Sequence, residues 1–239
     1  MTKYFTLLSA DFRSIRRDPM LYMIFLSPLS LIFFIRLAVP FLNNLICEQF
    51  TFDLSEHYLM IVTFLALMMA MLSGSVFSFI TLDERDENVI TALSITPLTN
   101  RGYIRYRLVI TFAFSLIFYY LVLLLNGLID VTLPRILITA LVASLNGGLF
   151  LLFIASSAEN KIEGLALTKI GGLYFFIPLA AYLIPSVFLQ VPFALLPSFW
   201  IVPVMFTSGS WLFLSLLGFT GITIFWYVVL LRRFKNRVL

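Results

Sequence analysis

Few side chains in this 239-residue chain are equipped to make or break bonds. The one cysteine, Cys47, and the one histidine, His57, stand ten residues apart with no third ligand motif, so neither an internal disulfide nor a zinc site follows. A phosphate-cradling loop needs a glycine-rich turn ending in Gly-Lys-Ser or Gly-Lys-Thr, whose backbone amides and lysine meet the phosphates, and no such string occurs. The glycine pairs at 147–148 and 171–172 fall at or inside apolar runs and read as places where helices approach closely. No paired carboxylates interrupt those runs, which leaves no acid and base for an intramembrane enzyme. An ion-coupled carrier also lacks the midplane ionisable groups it needs in spans two to six.

What the sequence does concentrate is charge. The stretch TLDERDENVITALSITPLTNRGYIRYR, Thr81 to Arg107, holds eight charged residues between two long apolar runs. Thr81 and Glu84 have the spacing of a capping box, and Asp83, Glu84, Asp86 and Glu87 suit the positive end of a helix dipole. Val89, Ile90 and Leu93 then fall on one face, and Pro97 disfavours helix at Thr96. The pattern predicts a short amphipathic helix outside the membrane, with Arg85 among its flanking charges. Its plainer reading is a solvated turn that keeps the link out of lipid.

The elements around it are set by hydrophobicity. The chain is 61% apolar and 12% charged, with a mean hydropathy of +1.03, against about 25% charged residues in ordinary globular chains. It reads as one integral membrane domain, all α, over residues 1–239. About twenty apolar residues cross the hydrocarbon as a helix, which predicts spans near 20–41, 58–82, 108–129, 136–158, 170–190 and 209–231. The uncharged run from Ile170 to Leu231 exceeds two spans. Its surplus, carrying Pro192, Pro197 and Pro203, reads as a re-entrant hydrophobic segment before the sixth span.

Six spans place fourteen of the sixteen basic residues on one side, leaving Arg36 and Arg135 at the other, so both termini are expected in the cytoplasm. The net charge of +4 is thereby a matter of topology, not of nucleic-acid binding. The charged, interrupted N-terminus does not read as a removable signal. Residues 1–19 instead carry Tyr4, Phe5, Leu8, Phe12 and Ile15 at helical spacing with Arg13, Arg16 and Arg17 around them, the pattern of an amphipathic helix lying in the membrane surface. Ala70, Gly74 and Ser78 form a small-residue stripe in the second span, suited to packing within the bundle or between copies. Arg36, the one charge inside a predicted span, is expected to reach for the outer interface.

Taken together, LLSADFRSIRRDP before the first span, LDERDENVITALSITPLTNRGYIRYRL after the second, SSAENKIEGLAL after the fourth and LPSFWIVPVMF before the sixth resemble the type-2 exporter class of ATP-binding cassette permeases. The resemblance covers nearly the whole chain and departs at Asn88, where many relatives have glycine. It implies that the link after span two is a coupling helix. Asp83, Glu84, Arg85, Asp86 and Glu87 would form the rim of a contact with a separate ATPase subunit, Val89, Ile90 and Leu93 its core, and Pro97 its end. It further implies a second permease copy or a paralogue, with ATP and magnesium held by the partner subunit and no cofactor on this chain. The expected function is export of an apolar or amphipathic cargo such as a drug, peptide or lipid. A non-transporting assembly or immunity factor would keep the same bundle.

Overall fold

The computed structural model describes residues 2–49, 52–94 and 99–238. Among them there is no strand, and six helices are long and apolar enough to cross a membrane. The helices are α1 (Thr2–Arg17), α2 (Pro19–Gln49), α3 (Tyr58–Asp86), α4 (Val89–Ser94), α5 (Thr99–Leu125), α6 (Leu133–Ser157), α7 (Lys161–Gly172), α8 (Ile177–Leu183), α9 (Val187–Ala194), α10 (Ile201–Phe206) and α11 (Gly209–Val238).

Helices α3 and α6 form the centre and are buried along most of their length, while α2, α5, α7–α8 and α11 surround them and expose most of theirs. Two central helices need small residues where they meet. The backbone of Gly74 lies so close to α6 that a Cβ there would sit 2.6 Å from the Gly147 carbonyl oxygen, and one on Gly147 would sit 2.9 Å from that of Ala70. Ala70, Gly74 and Ser78 are all buried, and the stripe is used for packing inside this chain. Buried hydroxyls return to their own helix, as Ser73 Oγ does to the Met69 carbonyl at 2.8 Å and Thr111 Oγ1 to that of Arg107 at 2.7 Å. Most hydroxyls of the apolar core are satisfied within their own turn in this way, although Ser115 Oγ and Tyr119 Oη are buried without a partner.

Several helices extend beyond the apolar runs that announce them. Helix α5 starts at Thr99 rather than near Leu108, α7 at Lys161 rather than near Ile170, and α2 runs on to Gln49. A helix needs apolar residues only where it meets lipid, so charge marks the membrane boundary and not the helix end. The start of α7 is set by Asn160, whose Oδ1 accepts from the Glu163 amide at 2.9 Å, while Glu163 Oε2 accepts from the Glu159 amide at 2.6 Å. Its continuation through a 3-10 turn, Leu173–Phe176, into α8 ends at Ile184, held extended by the proline that follows. The fifth span is therefore Lys161–Leu183 rather than 170–190. Lys169 lies within it, so it leaves the group of basic residues expected on one side, and span five does carry an ionisable residue, contrary to the expectation.

The capping pattern at Thr81 is also revised. Helix α3 runs unbroken to Asp86, and Thr81 Oγ1 donates to the Phe77 carbonyl in mid-helix. The acidic run thus sits at the C-terminal end of α3 and not at the start of α4. Asn88, with φ of 58°, makes the turn between them, a left-handed conformation that asparagine and glycine adopt most readily.

Helix α2 contains two prolines, Pro28 and Pro40, each of which lacks the amide that would bond the carbonyl four residues back. The proline-rich stretch before α11 folds into α9, a 3-10 turn at Pro197–Trp200, and α10. Its loose carbonyls are met by side chains. Gln190 Nε2 donates to Ile184 at 2.6 Å, Trp200 Nε1 to Ala194 at 3.0 Å and Trp226 Nε1 to Leu195 at 2.9 Å. Ser198 ties this stretch to the bundle, donating from its amide to Tyr174 Oη at 3.0 Å and from Oγ to the Tyr174 carbonyl at 2.7 Å, while Tyr174 Oη donates to Asn146 of α6.

The close approach of α3 and α6 makes a direct prediction. Gly74→Ala drives a methyl group into backbone that cannot swing aside, and it should cost about 1–3 kcal/mol, read as a lower thermal unfolding midpoint. Gly221→Ala, where a Cβ meets nothing within 4 Å, should leave the midpoint in place.

Candidate functional site

At one end of the bundle the charged residues of five segments meet. Arg107, two turns into α5, is fully buried. Its Nη1 lies 2.8 Å from Asp11 Oδ1 of α1, Nη2 pairs with Glu84 Oε2 of α3, and Nε donates to Tyr103 Oη at 3.2 Å. Tyr103 Oη donates to Glu84 Oε2 at 2.5 Å and Tyr106 Oη to Asp11. The guanidinium carbon lies 5.3 Å and 5.5 Å from the centres of the two tyrosine rings. One cation and two carboxylates leave a net negative charge. Burial pushes the Asp11 carboxyl up, with the Arg107 guanidinium and the Tyr106 hydroxyl pulling it back.

Beside it, Lys161 Nζ at the start of α7 lies 2.7 Å from Asp18, between α1 and α2, and 2.7 Å from Asp83 on α3. Asp18 Oδ1 also accepts from the Met20 amide at 2.9 Å, capping α2. The hydrogen bond from Lys161, helped by the backbone amides, holds the Asp18 carboxyl below its ordinary 3.8. Its contribution to folding is complete above that value and is lost as pH falls through the lowered one. Arg85 donates to the Ala158 carbonyl at 3.0 Å and to that of Glu159, and Arg237 to that of Ser157 at 3.1 Å, so α3 and α11 both hold the end of α6. The acids at the unfavourable end of the α3 dipole are offset by cations drawn from α5 and α7.

The predicted contact residues divide accordingly. Glu84 and Asp83 turn inward to these pairs, Arg85 holds the α6–α7 link, and Asp86 and Glu87 remain exposed. Ile90 is buried in its own chain, Val89 and Leu93 are half-buried, and Ala92 is exposed. Pro97 lies outside the described residues. On α1, Phe5, Phe12, Arg16 and Arg17 are exposed and Leu8 is half-buried, while Asp11 and Ile15 face the bundle. The Phe12 ring still touches those of Phe25 and Phe114, each at 6.0 Å between centres.

Sequence reasoning missed Asp11, Asp18, Tyr103, Tyr106 and Lys161. The available signal was Asp11 itself, a carboxylate set between Leu8 and Phe12 on an apolar face, where only a buried cation makes it tolerable. At the far end the structure places Arg36 Nε 2.7 Å from the Leu125 carbonyl, at the last residue of α5. Arg135 Nη1 similarly bonds the carbonyls of Val204 and Thr207, at 2.7 and 2.5 Å, closing α10.

A multi-pass bundle with a charged knot at one end has a matching family. The model of the Rv2686c-like family, described as fluoroquinolones export permease protein Rv2686c-like, matches residues 11–231. The chain belongs to this family. Two relatives from Mycobacterium tuberculosis are named fluoroquinolones export permease protein, Rv2686c in strain H37Rv and MT2760 in strain CDC 1551. Each is 29% identical over 234 residues, covering 95% of this chain and 92% of its own length. No solved structure matches the chain. Membership makes this a multi-pass membrane protein of an export permease family, consistent with the ATP-binding cassette type that its sequence resembles.

Removing one member of the buried triad strands the others. Arg107→Met should cost about 3–5 kcal/mol, seen as a large drop in the thermal midpoint of the purified chain. Adding Asp11→Asn and Glu84→Gln to Arg107→Met should recover most of that drop, because no unpaired charge is then left inside.

Proposed function

We propose that this chain is the membrane subunit of an ATP-driven exporter. It works with a separate nucleotide-hydrolysing subunit and with a second permease copy or a paralogue. The cargo is an amphipathic small molecule of the fluoroquinolone kind for which its relatives are named. ATP and magnesium belong to the partner, since this chain has no Gly-Lys-Ser or Gly-Lys-Thr loop of its own. The basic end faces the cytoplasm with both termini, and the proline-rich stretch before α11 dips into the membrane from the opposite side.

The observation that carries the reading is the buried Arg107 knot. It joins α1 and α5 to the end of α3, immediately before the turn at Asn88 into α4. A partner pressing on α4 and α1 moves the bases of α3 and α5 as one body. Nucleotide closure can then bias the bundle between inward and outward access, provided that it grips the two arrangements with different affinity. Ile90 anchors α4 to its own chain, and the exposed Ala92 side is the surface left for docking, with Asp86 and Glu87 at its rim. Rim charges contribute about 0–1 kcal/mol each and chiefly set orientation.

Ala92→Trp adds bulk outside the fold. It should abolish copurification of an ATPase with the tagged chain while leaving its thermal midpoint unchanged; equal recovery of the ATPase, or none with the wild-type chain, counts against the reading. Orientation has a built-in reporter in Cys47, the sole cysteine, exposed near the far end of α2. A membrane-impermeant maleimide should label it in intact cells, and protection there would invert the topology.

A further inference from the structure

Three cations of the other spans have partners within this chain: the buried Arg107 has two carboxylates, while the exposed Arg36, and Arg135 in the first turn of α6, bond helix carbonyls. Lys169 differs. It lies eight residues beyond Lys161 on α7, about 12 Å along the axis, and it is exposed on the bundle surface. Lys161 has two carboxylate partners, and no carboxylate of the described residues pairs with Lys169.

Packing fixes its depth independently. Gly164 lies against Leu82 and Phe79 of α3, and Gly172 against Met71, so Lys169 is level with the apolar and small residues between Phe79 and Met71. Taking the Lys161 pairs as the membrane boundary, its Cα is near the middle of a hydrocarbon core about 30 Å thick. A lysine stem does not span that distance to water. Charges at such depth face a water-filled path or a partner rather than bare lipid.

We infer that Lys169 binds the carboxylate of an anionic or zwitterionic amphipathic cargo on its way through the membrane. This rests on the exporter reading above. The surroundings suit the rest of such a molecule. Ala166, one turn before, is small and exposed, and Leu173 carries the apolar surface onward. Two turns on, Phe176 sets its half-exposed ring 5.2 Å from Phe64 of α3. The neighbouring edge of α3 bears the half-buried Met68 and Met71, side chains that adapt to differently shaped ligands. The cavity of about 200 Å³ between α6, α7 and α11 is lined by apolar surface and offers a carboxylate nothing.

The test is binding of norfloxacin and of norfloxacin ethyl ester, which lacks the free carboxylate. The full chain is used, purified with its associated subunits into phosphatidylcholine nanodiscs, and drug fluorescence is the readout. The wild type should bind the acid about tenfold or more tightly than the ester, the range of one charge-assisted hydrogen bond. Lys169→Gln should erase that preference while binding the ester as the wild type does, and Lys169→Arg should keep most of it. A preference that survives in Lys169→Gln, or a wild type that does not distinguish acid from ester, overturns the assignment and leaves the exporter reading standing. Loss of the preference when phosphatidylglycerol is added would make a lipid headgroup the occupant and also overturn it. A wild type that binds neither compound removes the cargo reading and this inference together.

Discussion

A guanidinium sealed from solvent must be fully paired or it is not tolerated, and the base of this bundle is organised around that demand. Arg107 takes its two carboxylates from different helices, Asp11 from the surface helix and Glu84 from the central one. Tyr103 and Tyr106 occupy those oxygens further and cover the cation with their rings. Because neither carboxylate is local in sequence, the knot forms only when α1, α3 and α5 have all arrived. The Lys161 pairs add α7 and the start of α2, and Arg85 and Arg237 add α6 and α11. Every long apolar helix is thus fastened at its basic end by a charge-assisted contact.

The opposite end solves a different problem. There the unsatisfied groups are carbonyls, left by helix ends and by prolines, and the partners are single donors. Arg36 and Arg135 close α5 and α10, while Gln190, Trp200 and Trp226 serve the broken stretch. Irregular backbone at this hydrophobicity is tolerable only when its polar groups find such donors. The asymmetry has a functional sense in the exporter reading: the end that receives the push is cross-braced by ion pairs, and the other is held by individually weaker hydrogen bonds.

Most spans were legible because a membrane helix announces itself by a long apolar run, and Pro192, Pro197 and Pro203 announced the broken stretch. Helix ends were not legible from charge. Arg101, Arg105 and Arg107 belong to α5, and Lys161 to α7, since a helix continues through charged residues wherever they are paired or reach water. The spacing of Asn160 and Glu163 carried the true start of α7. The same kind of signal at Thr81 and Glu84 misled, because hydroxyls and carboxylates also serve inside a helix when a carbonyl or a distant cation takes them up. Asp11 shows the limit most clearly: its partner lies 96 residues away, and no local periodicity reports it.

Helix α2 adds a mechanical property to this scaffold. Pro28 and Pro40 leave the carbonyls of Ile24 and Arg36 without an amide from their own helix, so its bending stiffness falls at two points and it behaves as three rigid rods in series. The first rod is anchored at Asp18, and the middle one is tied by Arg36 to the end of α5. Such a jointed strut accommodates displacement at its foot by small rotations at the joints, keeping its remaining backbone ladder intact while the foot moves.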